Sequence, residues 1–240
     1  MRVTATILLA SRSPRRRELI ALGGWDFELT SVEADESPFA GELPLDYVRR
    51  VAETKARLAA AAIGATLTDP MVAPGHAPTL QPPSAAIIVA ADTTVADGNA
   101  ILGKPAGVAE ARAMLRRLRG RTHQVHTALA AIQPGDPRLQ IETCTTEVPM
   151  RDYRDDEIEA YIAGGDPFDK AGGYAIQHRG FHPVAGIQGC YANVVGLPLC
   201  HLQRLLSRIG IDTPADVARS CQQALGYDCP VYPAIQAGLL

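Results

Sequence analysis

Four groups of residues in this chain have the types and spacing that handle a polyanion. The first is Ser11-Arg12-Ser13-Pro14-Arg15-Arg16-Arg17. Ser13 suits the N-cap position of a helix and Pro14 its first residue. Arg15, Arg16 and Arg17 then crowd the opening turn, where the helix dipole already concentrates about half a positive charge. Cations are misplaced there for stability. They become useful if a phosphate chain takes up the free backbone N–H groups, the Ser11 and Ser13 hydroxyls and the guanidinium groups together. A solvated basic helix start explains one arginine better than three.

The second group is Asp92 with Lys104. Asp92 follows the apolar run Ala86-Ile87-Ile88-Val89-Ala90-Ala91, and open α/β sheets place ligands beyond the carboxyl ends of such strands. A carboxylate there must exit to a cleft, cap a turn or be paired, because burying it alone is too costly. Lys104, between Gly103 and Pro105, can approach from a returning hairpin strand.

The third group is Lys55 with the acidic run Glu33, Asp35 and Glu36. Lys55 falls on an apolar helix stripe, where it either snorkels or faces a cleft. The carboxylates are hard oxygen donors of the kind magnesium or manganese prefers, although acidic loops are mostly just solvated. The fourth is the loop Asp166 to Gln177, where Asp169, Lys170 and two adjacent glycines suit a close backbone approach to a polyanion and its metal, or a structural glycine turn.

The elements that must position these groups follow from the apolar pattern. A strand over residues 4–10 precedes a helix that starts at Pro14 and stops at a left-handed Gly23. A short strand at 27–31 leads to a helix over 44–62, with Val48, Val51, Ala52, Leu58 and Ala59 on one stripe. Residues 66–84 collect Pro70, Pro74, Pro78, Pro82 and Pro83 and read as an inserted loop. The strand at 86–91, a hairpin turn at Asp97-Gly98-Asn99, a helix from Val108 to about Gly120 and strands at 123–132 and 139–148 follow. Then come a helix at 155–163, a short strand at 174–177 and a helix at 198–209. The tail after Gly210 carries no clear element. Mixed strands and helices without strict alternation predict an α/β fold around a mixed sheet.

Composition excludes several classes. The 240 residues carry 23 Lys+Arg against 26 Asp+Glu, a net charge of −3, which argues against a basic nucleic-acid coat. With 47% hydrophobic and 20% charged residues the chain can bury a core. No apolar stretch reaches membrane-span length and no leader pattern opens the chain, so the expectation is a cytoplasmic protein with no membrane partner. Cys144, Cys190, Cys200, Cys221 and Cys229 are widely spaced, with no zinc-like pair, and reduced thiols are expected.

Taken in order, Ser11 to Leu19, Lys55-Ala56, Ala91-Asp92-Thr93, Gly103-Lys104-Pro105, Gly120-x-x-His123, Asp169 to Gln177 and Asn193-Val194-Val195-Gly196-Leu197-Pro198 resemble the signatures of the Maf family of nucleoside triphosphate pyrophosphatases. The resemblance runs from Ile7 to about Ile209, within a domain at 1–210 that leaves out the loop at 66–84 and the tail at 211–240. It implies a two-lobed fold like that of inosine triphosphate pyrophosphatases with a cleft between the lobes, commonly as a homodimer. It also implies Mg- or Mn-dependent hydrolysis of a nucleoside triphosphate to monophosphate and pyrophosphate. By that resemblance Asp92 is the proton acceptor, Lys55 and Lys104 assist it, and Ser11, Ser13, Arg15, Arg16, Thr93, Lys170 and Gln177 bind substrate. Asp92, Asp169 and either Asp35 or Glu36 hold metal. Arg15, Thr93 and Gln177 match the dTTP- and UTP-directed subgroup, and modified pyrimidine nucleotides are further candidates. His178 departs from the family's usual glycine, and Gly173 often appears there as alanine. The rival from another class is a nucleotide-binding regulator of cell division without turnover.

Overall fold

The structure, a computed structural model, describes residues 5–68 and 86–239. Its centre is a six-stranded mixed sheet. Strands β1 (Thr6–Ala10), β2 (Phe27–Thr30) and β3 (Ala86–Asp97) are parallel, with β1 in the middle. Strands β4 (Ala100–Leu102), β5 (Thr122–Ile132) and β6 (Leu139–Pro149) continue antiparallel, giving the order β2-β1-β3-β5-β6 with β4 also on β3. The expected mixed α/β architecture is the one observed.

Side-chain alternation sorts the sheet into two faces. Leu8, Ala10, Ile88, Ala90, Ala128 and Ala130 pack under helix α2 (Pro44–Thr68). The alanines let that helix lie close to the sheet. Ile7, Leu9, Ile87, Val89 and Leu129 face the other way, against α1 (Pro14–Ala21) and the C-terminal helices. A third cluster gathers Val95, Leu102 and Val125 under α3 (Val108–Leu118) and α4 (Asp155–Ala163) at the far end of the long strands.

Several expectations need correction. β3 does not stop at Ala91 but runs on to Asp97, because β5 pairs with it along almost its whole length. Asp92 is therefore mid-strand. It is β1 that ends, at Ala10 paired with Ala90, so Asp92 lies two residues beyond the edge of the parallel part. Helix α2 extends through Thr68, past the expected start of the proline-rich insert, whose residues 69–85 lie outside the described part. Leu58 is 41% exposed and leaves the apolar stripe to Val48, Val51, Ala52, Ala56 and Ala59. The left-handed residue after α1 is Gly24, not Gly23, where a Cβ would strike the Trp25 ring.

No strand forms at 174–177. Instead two short 3₁₀ turns, Asp166–Asp169 and Ala171–Gly173, lead into an unpaired segment. Gly172 has φ 70°, and a Cβ there would come within 2.9 Å of Val95 Cγ1. The remaining helices are α5 (Tyr191–Val195), α6 (Leu199–Arg208), α7 (Val217–Leu225) and α8 (Tyr232–Gln236). The tail that lacked a clear pattern thus forms two helices, which bury Val217, Ala218 and Ile235 against α6. Among the described residues no helix is long and apolar enough to cross a membrane, and all five cysteines are free.

Candidate active site

The break between parallel and antiparallel pairing opens a cleft of about 370 Å³, within the range of small-molecule sites. Ser11, Ser13, Arg15, Arg16, Glu36, Lys55, Asp92, Thr93, Lys104, Asp169, Lys170 and Gln177 all line it. Thus residues from six separate segments meet in one hollow.

The carboxylates meet on the α2 side. Asp92 shares the face of Ile88 and Ala90, so its side chain points at α2, and Lys55 stands opposite. Lys55 Nζ donates to Asp92 Oδ1 at 2.8 Å and lies 2.7 Å from Glu36 Oε1. Burial pushes the Asp92 carboxyl above its ordinary range, opposed by the charges of Lys55 and Arg16. Glu36 is partly desolvated, yet the Lys55 hydrogen bond and the charges of Lys55, Lys104 and Arg16 hold it below the usual glutamate range.

Of the two acidic loop residues left open by the sequence, Glu36 faces the cleft. Asp35 does not line it; its carboxylate accepts from the Ser37 amide at 2.9 Å and closes a local turn.

The arginines behave differently from one another. Ser13 caps α1, its hydroxyl accepting from the Arg16 amide, and Pro14 opens the helix as expected. Arg15 lines the cleft and gives one donor to Asp169 at 3.4 Å. Arg16 turns inward: it donates to the carbonyls of Gly196 at 2.8 Å and Ala91 at 2.7 Å and to Thr93 Oγ at 3.0 Å. Those bonds explain a cation in the first turn without any phosphate. Arg17 is exposed and outside the cleft, so the expected triple cluster reduces to Arg15 at the surface and Arg16 as an internal brace.

Thr93 points to the opposite face from Asp92. Besides accepting from Arg16, its hydroxyl meets Thr127 Oγ at 2.8 Å, and Thr127 in turn donates to the Asn193 carbonyl at 3.2 Å. Asn193, fully buried, donates to the Val125 carbonyl and to Thr146 Oγ, each at 2.9 Å. Gly196, at φ 121°, closes the motif by presenting its carbonyl to Arg16. Sequence reasoning had no signal for Thr127. It had the Asn193-to-Pro198 motif without a role.

The loop from Asp166 is held from within. Tyr161 donates to Asp166 Oδ2 at 2.8 Å and accepts from the Ala175 amide at 3.0 Å, fixing both ends. The Gly172 amide donates to the Gly103 carbonyl at 3.0 Å, joining this loop to the one that carries Lys104. Lys170 lines the cleft and has three donors, which meet Asp166 O, Asp166 Oδ1 and Asp169 Oδ1 and so staple the loop. Asp169 lines the cleft as well, paired with Arg15 at 3.4 Å and with Lys170. His178 turns away from the cleft: its Nδ1 accepts from the Phe181 amide and its ring stacks edge-on with Tyr161.

A divalent ion fits the oxygens present. Two carboxylates converge on one ammonium, which marks a place for positive charge. No group of three or more acidic, histidine or cysteine side chains forms a closed cage among the described residues. Glu36 and Asp92 are the oxygen donors that a magnesium-type ion, which keeps waters and substrate phosphates among its ligands, could use there.

Fold and cleft together define a mixed α/β protein whose site is lined with cations and a carboxylate pair for a polyanionic ligand. The chain belongs to the Maf family: residues 6–209 match the family model described as Maf-like protein. It is 44% identical over 207 residues to a dTTP/UTP pyrophosphatase of Methylococcus capsulatus, covering 86% of this chain and 92% of that protein. A dTTP/UTP pyrophosphatase of Myxococcus xanthus is 42% identical over 208 residues, covering 87% and 94%. Among solved structures, the Staphylococcus aureus Ham1 protein aligns over 92% of this chain and 95% of its own, at 12% identity and a TM-score of 0.41.

Proposed function

We propose that this chain hydrolyses nucleoside triphosphates to the monophosphate and pyrophosphate, with dTTP, UTP and modified pyrimidine nucleotides as substrates. The observation that carries the reading is the convergence of Asp92 and Glu36 on Lys55, in the cleft that Arg15 and Lys104 also enter. Relatives at 44% and 42% identity bear the name of that activity, which supports it.

A triphosphate brings about four negative charges, so its binding depends on cations before any chemistry begins. Arg15 and Lys104 meet the phosphate chain. Glu36 and Asp92 are the residues that would hold Mg²⁺ or Mn²⁺. When bound, such an ion neutralises phosphate charge and acidifies water. Asp92 takes the proton of the attacking water: burial strengthens its hold on that proton, opposed by the charges of Lys55 and Arg16. Positioning and electrostatics supply most of the rate in phosphoryl chemistry. Because Thr93 is committed to Arg16 and Thr127, discrimination between bases falls to the exposed amide of Gln177. A homodimer resident in the cytoplasm completes the reading.

The test is pyrophosphate release from a panel of standard and modified nucleoside triphosphates, with Mg²⁺ and with a chelator. Turnover of dTTP and UTP that the chelator abolishes is the expected result. A chain that binds dTTP and releases no pyrophosphate from any member of the panel is a binding protein, and the reading fails.

A further inference from the structure

Glu36 sits on a segment, residues 31–43, that contains neither helix nor strand. Val32 anchors its start against the sheet and α2, and the backbone around Glu36 is held from α2. Tyr47 donates its hydroxyl to the Glu36 carbonyl at 2.9 Å, and Arg50, one turn further on, donates through Nη2 to the next carbonyl, Ser37, at 3.0 Å. The same helix supplies Lys55 to the Glu36 carboxylate.

Arg50 does more than hold one carbonyl. Its Nε and Nη2 grip both oxygens of Glu42 at 2.6 and 2.7 Å, and Glu42 Oε2 also accepts from the Phe39 amide at 2.9 Å. The guanidinium lies 3.9 Å above the centre of the Phe39 ring, which is otherwise 62% exposed. One planar group thus clamps Ser37, Phe39 and Glu42. Lysine cannot reproduce this, being a point charge without the fork or the flat face.

We propose that Arg50 is a positioning residue for Glu36, setting the backbone of the 31–43 segment so that the Glu36 carboxylate meets Asp92 across Lys55. The proposal rests on the reading of Glu36 as an ion-holding carboxylate. It makes Arg50 an outer partner of the ion site, a place where substitutions typically weaken metal affinity by about 10- to 100-fold.

The experiment is a Mn²⁺ titration of the nucleotide-free protein followed by electron paramagnetic resonance, on the parent, Arg50→Gln, Arg50→Lys, Glu36→Gln and the Arg50→Gln/Glu36→Gln double variant. Thermal unfolding is recorded beside it. Arg50→Gln is expected to weaken Mn²⁺ binding by about tenfold or more, Arg50→Lys by less, and the double variant by no more than Glu36→Gln alone, because Arg50 acts only through Glu36. A merely structural role moves the unfolding temperature and leaves the coupling absent. Mn²⁺ binding by Arg50→Gln within about twofold of the parent, losses that multiply in the double variant, or a parent that takes up no Mn²⁺ each overturn the proposal. Protein that binds Mn²⁺ through this segment yet releases no pyrophosphate upholds the role of Arg50 and defeats the proposed reaction instead.

Discussion

Lys55 reaches Asp92 across the packed face between α2 and β3, its ammonium 2.8 Å from Oδ1, with side chains only 12% and 8% exposed. Neither group could sit there alone, since an unpaired buried charge costs several kcal/mol. Glu36 is the third member, and it makes the cluster asymmetric. Lys55 has two carboxylate partners, whereas Asp92 has one direct cation and the more distant Arg16.

That asymmetry separates two substitutions. Asp92→Asn leaves Lys55 paired with Glu36, so folding survives, while turnover falls by at least about a hundredfold for loss of an essential base. Lys55→Met strands Asp92 without its direct partner and destabilises by roughly 3–5 kcal/mol. Circular-dichroism melts and pyrophosphate release on both variants check the contrast. Parental turnover by Asp92→Asn would remove Asp92 from the chemistry.

Arg16 carries the second prediction. Its three acceptors are the carbonyl before Asp92, the carbonyl of Gly196 and the Thr93 hydroxyl. Lysine keeps the charge but cannot reach all three at once, and a hydrogen bond from a charged donor is worth about 1.5–3 kcal/mol. Arg16→Lys should therefore lower stability by roughly 2–4 kcal/mol. Thr93→Val removes one of these acceptors and the hydroxyl bond to Thr127, leaves Arg16 its two carbonyls, and should cost about 2 kcal/mol, less than Arg16→Lys. Urea titrations of the two variants decide it: equal midpoints would mean that Arg16 braces nothing.

The sequence made the strand, cap and hairpin pattern readable because local rules govern them: Ser13 and Pro14 start α1, and Asp97-Gly98-Asn99 turns β3 into β4. What it hid is set by contacts distant in sequence. The extension of β3 depends on β5, and the burial of Arg16 depends on Gly196, which lies 180 positions away. Charge type alone could not separate Asp35, spent on a local turn, from Glu36, nor Lys170, spent on its own loop, from Lys104. The helices of the tail are short, nine and five residues, so few turns carry their pattern in the sequence.

Gly172 gives a third prediction. It stands at φ 70° with Val95 against the place a Cβ would take, 2.9 Å from Cγ1. Gly172→Ala meets both the backbone penalty and the overlap, which together cost about 1–3 kcal/mol and shift the loop that carries Asp169 and Gln177. Val95→Ala on that background removes the two closest contacts, leaves Cβ at 3.1 Å and keeps the backbone strain. Melting curves should show the double variant recovering part of the loss; a double variant less stable than the additive sum contradicts the steric account.

The fourth prediction concerns acid. Burial pushes the imidazoles of His123 and His201 down to about 4, from an ordinary 6.5. The folded chain therefore binds fewer protons than the unfolded chain between those values. Stability rises with pH wherever the unfolded state holds more protons, so it is complete above about 6.5 and drains away as pH falls toward 4. Each histidine contributes up to roughly 3 kcal/mol of that loss, at 1.36 kcal/mol per unit. His201 also has an unpartnered buried Nδ1 among the described residues, so His201→Leu gives up no hydrogen bond at that atom. Its unfolding free energy, measured by urea at pH 7.5 and pH 5, should fall less steeply than the parent's by about one proton's worth. A slope equal to the parent's would show that His201 is charged in the folded protein.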